Sequence, residues 1–170
     1  MRRRLLGALP WVLFGIALIA AIAFAVLWQR LYAQEQERKE VRATAQEFAT
    51  LLTNFSAATI EDDAAAIKEF AVGRFEEEVD VFFGEEAVAA IKEAEARSEG
   101  DIDSVFVQSV EQDSASVFAV VSETVTNVNI PEARTDILRM EISMIDTDAG
   151  WKVDQVDIVQ SPGGAPLPGS

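Results

Sequence analysis

Residues 137–145 read ILRMEISMI, and apolar and polar side chains alternate along this stretch. One parity consists of Leu138, Met140, Ile142 and Met144, and the other contains Arg139, Glu141 and Ser143. An alternation of period two is typical of a β-strand that buries one face and exposes the other. The stretch therefore predicts an antiparallel sheet that is covered on one side only.

Further strands precede and follow this one. Residues 105–111 and 115–126 are rich in Val, Phe, Ser and Thr, and residues 112–114 between them predict a hairpin turn. After a turn at residues 146–150, the apolar residues of the last strand change parity between Val153 and Val156. This change predicts a β-bulge near Asp154 or Gln155. The result is a curved meander sheet of about four strands.

Upstream of residue 100 the apolar residues follow helical spacing. The buried face of the first predicted helix consists of Val41, Ala45, Phe48, Leu52 and Phe55. We expect a break at residues 56–59. The second helix then has acids in its first turn, buries Ala64, Ile67 and either Phe70 or Ala71, and ends near Gly73.

Two more helices complete this half of the chain. The third carries Phe75, Val79, Phe82 and Phe83, the fourth covers residues 85–97, and Gly100 closes the helical half. Helices followed by consecutive strands predict the α+β class, in which a cone of helices packs on one face of the curved antiparallel sheet.

The amino-terminal end predicts a transmembrane helix. Residues 5–28 are 24 consecutive residues without a charge, and at about 1.5 Å per residue such a helix crosses the ~30 Å hydrocarbon core of a bilayer. A cleaved signal peptide is the alternative, but its apolar region is usually only about 7–15 residues long. The candidate anchor residues are Leu5, Trp11, Phe14, Ile19, Phe24 and Trp28, and the candidate residues for helix packing in the membrane are Ala17, Ala21 and Ala25.

The basic residues around the span bear on its orientation. The cluster Arg2–Arg4 directly before the span favours a cytoplasmic amino terminus, with the domain on the outer, periplasm-like side of the cell membrane. A simple count opposes this orientation, because the bases just beyond the span are Arg30, Arg38, Lys39 and Arg42. We divide the chain into a basic start and transmembrane anchor (1–30), a stalk and first helix (31–55), the α+β cone-like domain (56–160) and a disordered Pro/Gly tail (161–170).

Charge and composition argue against several functions. Residues 35–170 contain 10 bases and 29 acids, a net charge of −19, whereas residues 1–34 carry +4. So acidic a domain repels the phosphates of nucleic acids. The chain has no Cys and no His, which removes disulfides, thiolate nucleophiles, Ser–His or Cys–His catalysis and the common ligands of zinc. We expect no cofactor and no metal.

Three groups of candidate functional residues remain. The carboxylates of Asp136, Glu141, Asp154 and Asp157 lie on predicted strands, where one facing inward would be a candidate base, although a solvated outer face is the simpler interpretation. The densest acidic run, which is either a solvated helix face or a docking surface for a basic partner, consists of Glu76, Glu77, Glu78, Asp80, Glu85 and Glu86. The aromatic residues that would line a lipid pocket, if the cone is open at one end, are Phe75, Phe82, Phe106 and Phe118.

The sequence contains three short motifs, which are Phe48, Ala49, Leu51, Leu52 and Thr53 on the first helix, then Gly73, Arg74 and Phe75, and finally residues 150–153. Together they resemble the motifs of the actinobacterial Mce-associated membrane proteins. The resemblance implies a cystatin-like, nuclear-transport-factor-two-like cone behind one membrane helix. It also implies a non-catalytic accessory or scaffold subunit of a Mce-type lipid or sterol import complex in the cell envelope, with protein partners and a lipid as a candidate ligand. The family usually has a Tyr and an acid after the Leu-Leu-Thr step, where this chain has Asn54, Phe55 and Ser56.

Two other functions are left open. An inner-membrane assembly factor of a type IV secretion system has the same anchor-plus-cone design. A small lipid-binding or isomerase-like domain would need a pocket, and isomerases with this fold typically use Tyr, His and Asp. Because the single Tyr, Tyr32, lies beside the predicted span and His is absent, we expect no enzymatic activity.

Overall fold

The computed structural model describes residues 2–159, apart from the side chains of residues 2–20, 30, 130 and 131. Its elements are α1 (Arg2–Thr53), β1 (Phe55–Ser56), α2 (Ile60–Phe70), α3 (Gly73–Phe82), α4 (Glu85–Glu93), β2 (Arg97–Val110), β3 (Ser114–Asn127), β4 (Ile130–Thr147) and β5 (Gly150–Val159). The predicted α+β class is confirmed. The chain divides into two units, Met1–Glu37 and Arg38–Ser170.

The first unit contains the amino-terminal part of α1. Within the part of the chain that the structure describes, no helix is long and apolar enough to cross a membrane. Five of the residues named for the anchor and its packing have side chains outside the described part, namely Leu5, Trp11, Phe14, Ala17 and Ile19. Ala21, Phe24, Ala25 and Trp28 are exposed, and the rings of Phe24 and Trp28 lie 6.1 Å apart between centroids. The predicted tail, residues 161–170, also lies outside the description.

The second unit is built around one antiparallel sheet. Its strand order is β1-β2-β3-β4-β5, and each strand pairs antiparallel with the next. The meander prediction is confirmed, with a fifth strand added because the two residues of β1 pair with Arg97 and Ser98 at the start of β2.

The inner face of the sheet packs against the helices. Met140, Ile142 and Met144 are fully buried, which confirms the alternation predicted for this strand. In β5, Gln155 is opposite Ser143 and Val153 is opposite Met144, so Asp154 is the extra residue of the predicted bulge.

The helices contribute the other side of the core. Val41, Ala45 and Phe48 on α1 are fully buried, as is Ile67 on α2, and Phe75 on α3 is nearly so. The predicted apolar faces are thus confirmed for these residues, whereas Phe82, predicted on the same face as Phe75 and Val79, is exposed. Burial of each large side chain stabilises the fold by about 1.5–3 kcal/mol before its entropic cost.

The largest difference from the sequence prediction concerns residues 94–100, for which the sequence predicts the end of the fourth helix and a closing glycine. The fourth helix ends at Glu93, and Gly100 lies within β2, opposite Glu123 of β3. Pairing with a distant strand overrides the local helical pattern there. For the same reason β4 begins at Ile130 rather than at Ile137, and Phe55, predicted on the helix, belongs to β1.

Candidate functional site

The interior of the cone is occupied by packed side chains. The ring of Phe48 meets that of Phe75 edge-on at 5.3 Å between centroids and lies 6.0 Å from that of Phe70. Met140 and Met144 fill the sheet side of the same cluster. These side chains form the hydrophobic core of the domain.

The structure does not bring the four candidate pocket phenylalanines together. Phe75 is buried in the core, whereas Phe82 is 52% exposed near the end of α3. Phe106 and Phe118 are opposite each other on β2 and β3, and their positions alternate with those of the buried Val107 and Val117. They therefore lie on the outer face of the sheet, across from Phe75.

A polar cluster joins the end of α1 to the inner face of the sheet. The Ser98 hydroxyl oxygen lies 2.8 Å from the Thr53 carbonyl oxygen and 2.6 Å from Oε1 of Glu123. A serine hydroxyl has one proton, and a carbonyl oxygen can only accept. Both contacts are hydrogen bonds at once when Glu123 is protonated and donates to Ser98, while Ser98 donates to Thr53.

The electrostatic environment of Glu123 favours the same protonation state. Burial raises the pKa of the Glu123 carboxyl; a hydrogen bond from Ser98 to the carboxylate acts against this, and the negative charge of Asp136 adds to the rise. Asp136 is the β4 residue opposite Glu123, and its carboxylate pairs with Arg134 at 2.8 Å. The cluster thus holds a carboxyl whose protonated form is stabilised.

Asn54 closes the edge of β2 beside this cluster. Its side-chain amide donates to the Gly100 carbonyl at 3.0 Å and accepts from the Gly100 N–H at 3.2 Å. The amide thereby takes the place of a neighbouring strand's peptide group. A Cβ atom at Gly100 would lie 2.1 Å from Oγ1 of Thr53, so the approach of α1 to the sheet requires a glycine there.

The other candidate carboxylates are dispersed. Glu141 and Asp157 are opposite each other on the outer face, and Asp136 is on the inner side at an exposed position. Asp154, at the bulge, lies against Gly73, where a Cβ would come within 2.0 Å of its carboxylate oxygen. Across the described residues, no group of three or more acidic side chains is placed to hold a metal ion.

Sequence reasoning did not single out Glu123. The signal is present, because Glu123 continues the parity of Val117, Ala119 and Val121 on β3, which are all fully buried. A carboxylate that continues an apolar parity is a candidate for burial.

The helices carry an open groove of about 570 Å³ between α2 and α4. Its floor is mostly small and apolar and includes Ala64, Ala65 and Ala89, with Phe83 and Val88 beside them. Two ion pairs flank it, Lys68 with Asp80 at 2.6 Å and Lys92 with Glu61 at 2.7 Å. We call this feature, together with the acidic residues of α3 and α4 and the exposed Val81 and Phe82, the helical face.

The predicted acidic run lies on this helical face. Glu78 pairs with Arg74 at 2.7 Å and Asp80 with Lys68, whereas Glu76 and Glu77 are exposed on α3. Glu85 and Glu86 occupy the first turn of α4, where a negative charge is favoured by the helix dipole. A second, shallower groove of about 410 Å³ runs along α1 beside Gln46 and Leu51.

Comparison with known proteins identifies the fold. No family model matches the sequence, and no curated protein matches it either. Among solved structures, the Agrobacterium tumefaciens VirB8 protein is 12% identical, with a TM-score of 0.61 over 76% of this chain and 96% of that one. The periplasmic domain of DotI is 11% identical, with a TM-score of 0.59 over 71% of this chain and 94% of that one.

A third structure names the fold directly. An NTF2-like protein with a cystatin-like fold from Novosphingobium aromaticivorans is 16% identical, with a TM-score of 0.56 over 82% of this chain and 90% of that one. Identities this low show the fold alone. The chain therefore has the NTF2-like, cystatin-like fold. The same fold occurs in CagV, a VirB8 homologue of the type IV secretion system from Helicobacter pylori, which is 16% identical with a TM-score of 0.53 over 72% of this chain and 98% of that one.

Proposed function

We propose that this chain is a non-catalytic scaffold subunit of a multiprotein complex in the cell envelope, with an inner-membrane assembly factor of a type IV secretion system as its class. The observation that carries the proposal is the likeness over most of the chain to VirB8 and to the periplasmic domain of DotI. The same likeness favours this class over a Mce-type import complex, for which the motifs around Phe48, Gly73 and Trp151 are the only support.

The packed interior supports a scaffold over an enzyme or a lipid carrier. Phe48, Phe75 and Met144 occupy the space where a ligand would have to lie. The carboxyl of Glu123 is engaged with Ser98 and links two parts of the fold, so we assign it a structural role.

The proposed location is the outer side of the cell membrane, with residues 1–30 as the anchor and the amino terminus in the cytoplasm. The absence of Cys from the chain allows a direct test with single introduced cysteines. A membrane-impermeant maleimide should label Ser109→Cys in intact cells and should leave Arg3→Cys unlabelled until the cells are lysed. The opposite labelling pattern would overturn the orientation.

The class is tested by purifying the tagged full chain from native membranes in mild detergent and identifying its partners by mass spectrometry. An unrelated single-pass protein with the same tag is the control. Enrichment of secretion components supports the proposal. Enrichment of Mce components instead would retain the scaffold role but replace the class, and recovery of the chain alone would overturn both.

The same preparation tests the absence of a lipid ligand. Native mass spectrometry should show the protein mass without a stoichiometric adduct. A single lipid bound to every chain, retained after detergent exchange, would contradict the non-ligand scaffold and favour the lipid-binding alternative.

A further inference from the structure

The charges of α2–α4 are strongly unbalanced. Residues 60–93 contain eleven acids and three bases, a net charge of −8. All three bases are already used within the fold, since Lys68, Arg74 and Lys92 pair with Asp80, Glu78 and Glu61. The other eight carboxylates form no ion pair with another described residue, and they are Asp62, Asp63, Glu69, Glu76, Glu77, Glu85, Glu86 and Glu93.

Apolar surface lies among these charges. Val81 is 75% exposed and Phe82 is 52% exposed, and the next residue, Phe83, lines the groove between α2 and α4. The positions of Ala65 and Ala89 are exposed within that groove. Small side chains at these positions let the backbone of a third helix approach closely.

We propose that the helical face is a docking site for a basic amphipathic helix of a partner protein. The apolar side of the partner would lie on Val81, Phe82 and the alanine floor, and its Lys or Arg side chains would meet the unpaired carboxylates along the rim. This inference rests on the proposed scaffold function and names the chemistry of the partner. The acidic surface disfavours anionic lipid headgroups as the occupant, since these attract basic segments.

The test uses the full chain in nanodiscs of zwitterionic lipid and a fluorescent peptide of about 18 residues, or five helical turns, with Lys on one face and Leu on the other. A twin peptide keeps every Lys and replaces Leu with Ser. Binding is measured by fluorescence anisotropy at an ionic strength of about 0.15 M, where distant charges are screened. Peptide partitioning into the lipid is the same for all variants and is subtracted with empty nanodiscs.

Two charge variants distinguish peptide binding at the helical face from attraction by the overall negative charge of the domain. The face variant combines Glu76→Gln, Glu77→Gln, Glu85→Gln and Glu86→Gln. The matched control removes the same number of charges at the hairpin turns and combines Glu111→Gln, Asp113→Asn, Asp146→Asn and Asp148→Asn. We expect the face variant to bind the peptide about tenfold more weakly than the wild type and the control variant to change less than about threefold.

Two neutral variants test the apolar part. Ala65→Gln with Ala89→Gln fills the groove at exposed helical positions that tolerate glutamine, and Val81→Ser with Phe82→Ser removes the exposed apolar pair. Each should weaken binding about tenfold, and unchanged circular dichroism establishes that the fold is retained.

Three results would overturn the proposal. They are equal weakening by both charge variants, wild-type affinity in both neutral variants, and equal binding of the Leu peptide and its Ser twin. Each of these results would mean that the helical face is a solvated acidic surface and not a docking site. The scaffold function is judged separately. If the face variant and the wild type recover the same partners, the docking proposal is overturned and the scaffold proposal stands. If the peptide binds specifically but no envelope partners are recovered, the scaffold proposal is overturned and the docking site stands.

Discussion

The helical face and the inner end of the sheet both contain carboxylates, but in opposite environments. On the helical face, Glu76, Glu77 and Glu86 are exposed to solvent, where water and salt screen their charges. At the inner end of the sheet, Glu123 is partly buried against Ser98 and close to the last carbonyl of α1. The same residue type is therefore solvated in one place and part of a short internal hydrogen-bond chain in the other.

The two regions also differ in whether they stabilise the fold or form accessible surface. The proposed scaffold function needs one region that holds its shape and another that is free to meet partners. The packed cluster around Phe48 fulfils the first need, and the open groove between α2 and α4 is suited to the second. Four predictions test this division, in decreasing order of their expected size.

The same substitution in the two regions should have very different costs. Phe48→Ala removes a fully buried ring and should lower the free energy of unfolding by about 3–5 kcal/mol. Phe82→Ala, on the helical face, should lower it by less than about 1 kcal/mol. Urea unfolding of the full chain in detergent, followed by near-ultraviolet circular dichroism, measures both. Equal losses of unfolding free energy in the two variants would show that the two regions do not differ in their contribution to stability.

The approach of α1 to the sheet should depend on Gly100. Gly100→Ala places a Cβ against the Thr53 side chain and should cost about 1–3 kcal/mol, the usual range for overpacking. Ser109→Ala, at an exposed position of the same strand, is the control and should stay within about 0.5 kcal/mol. A wild-type midpoint for Gly100→Ala in the same unfolding assay would show that the contact is not tight.

The pH dependence of stability should single out Glu123. Because burial raises the pKa of this carboxyl above its ordinary value of 4.5 in the folded state, the folded chain binds the proton more tightly than the unfolded chain. Its contribution to stability is therefore present below pH 4.5 and is lost as the pH rises through the raised value.

Glu123→Gln should remove this part of the pH dependence and raise stability at neutral pH, since the amide can donate to Ser98 without a charge. Urea unfolding between about pH 4 and pH 8, which extends from just below the ordinary Glu pKa of about 4.3 upward, measures the slope. Glu111→Gln, on an exposed turn, should keep the wild-type slope. A wild-type slope in Glu123→Gln would contradict the proposed proton on Glu123.

The smallest effect is expected at the ion pairs beside the groove. Lys92→Gln breaks the exposed pair with Glu61 and should change the free energy of unfolding by only about 0.2–1 kcal/mol. The difference from wild type should shrink further at an ionic strength of about 1 M, where the screening length falls to about 3 Å. A larger or salt-independent effect would mean that this pair stabilises the helices.

Much of the fold could be predicted from local patterns. The parity of Met140, Ile142 and Met144 and the change of parity around Asp154 came directly from the residue order, because side chains in a strand alternate with a fixed period. The buried faces of α1, α2 and α3 followed from helical spacing in the same way. The start of β2 at Arg97 could not be found like this, since it depends on pairing with β3.

The candidate site was predictable only in part. The acidic run on α3 and α4 is visible in the sequence, and so are the aromatic residues. Which aromatic residues share a surface is not, because Phe106 and Phe118 lie across the sheet from Phe75.

The α+β class, the meander, the bulge and the separation of a basic, apolar start from an acidic domain can all be inferred from the sequence, since they depend on residue order and charge alone. Three further facts depend on the folded structure: Phe48 and Phe75 pack together in the core, Lys68 and Lys92 are engaged beside a groove, and Ser98 joins Glu123 to the end of α1. Each of these facts requires groups far apart in the chain to meet. Their distances are set by packing, which a local pattern does not contain.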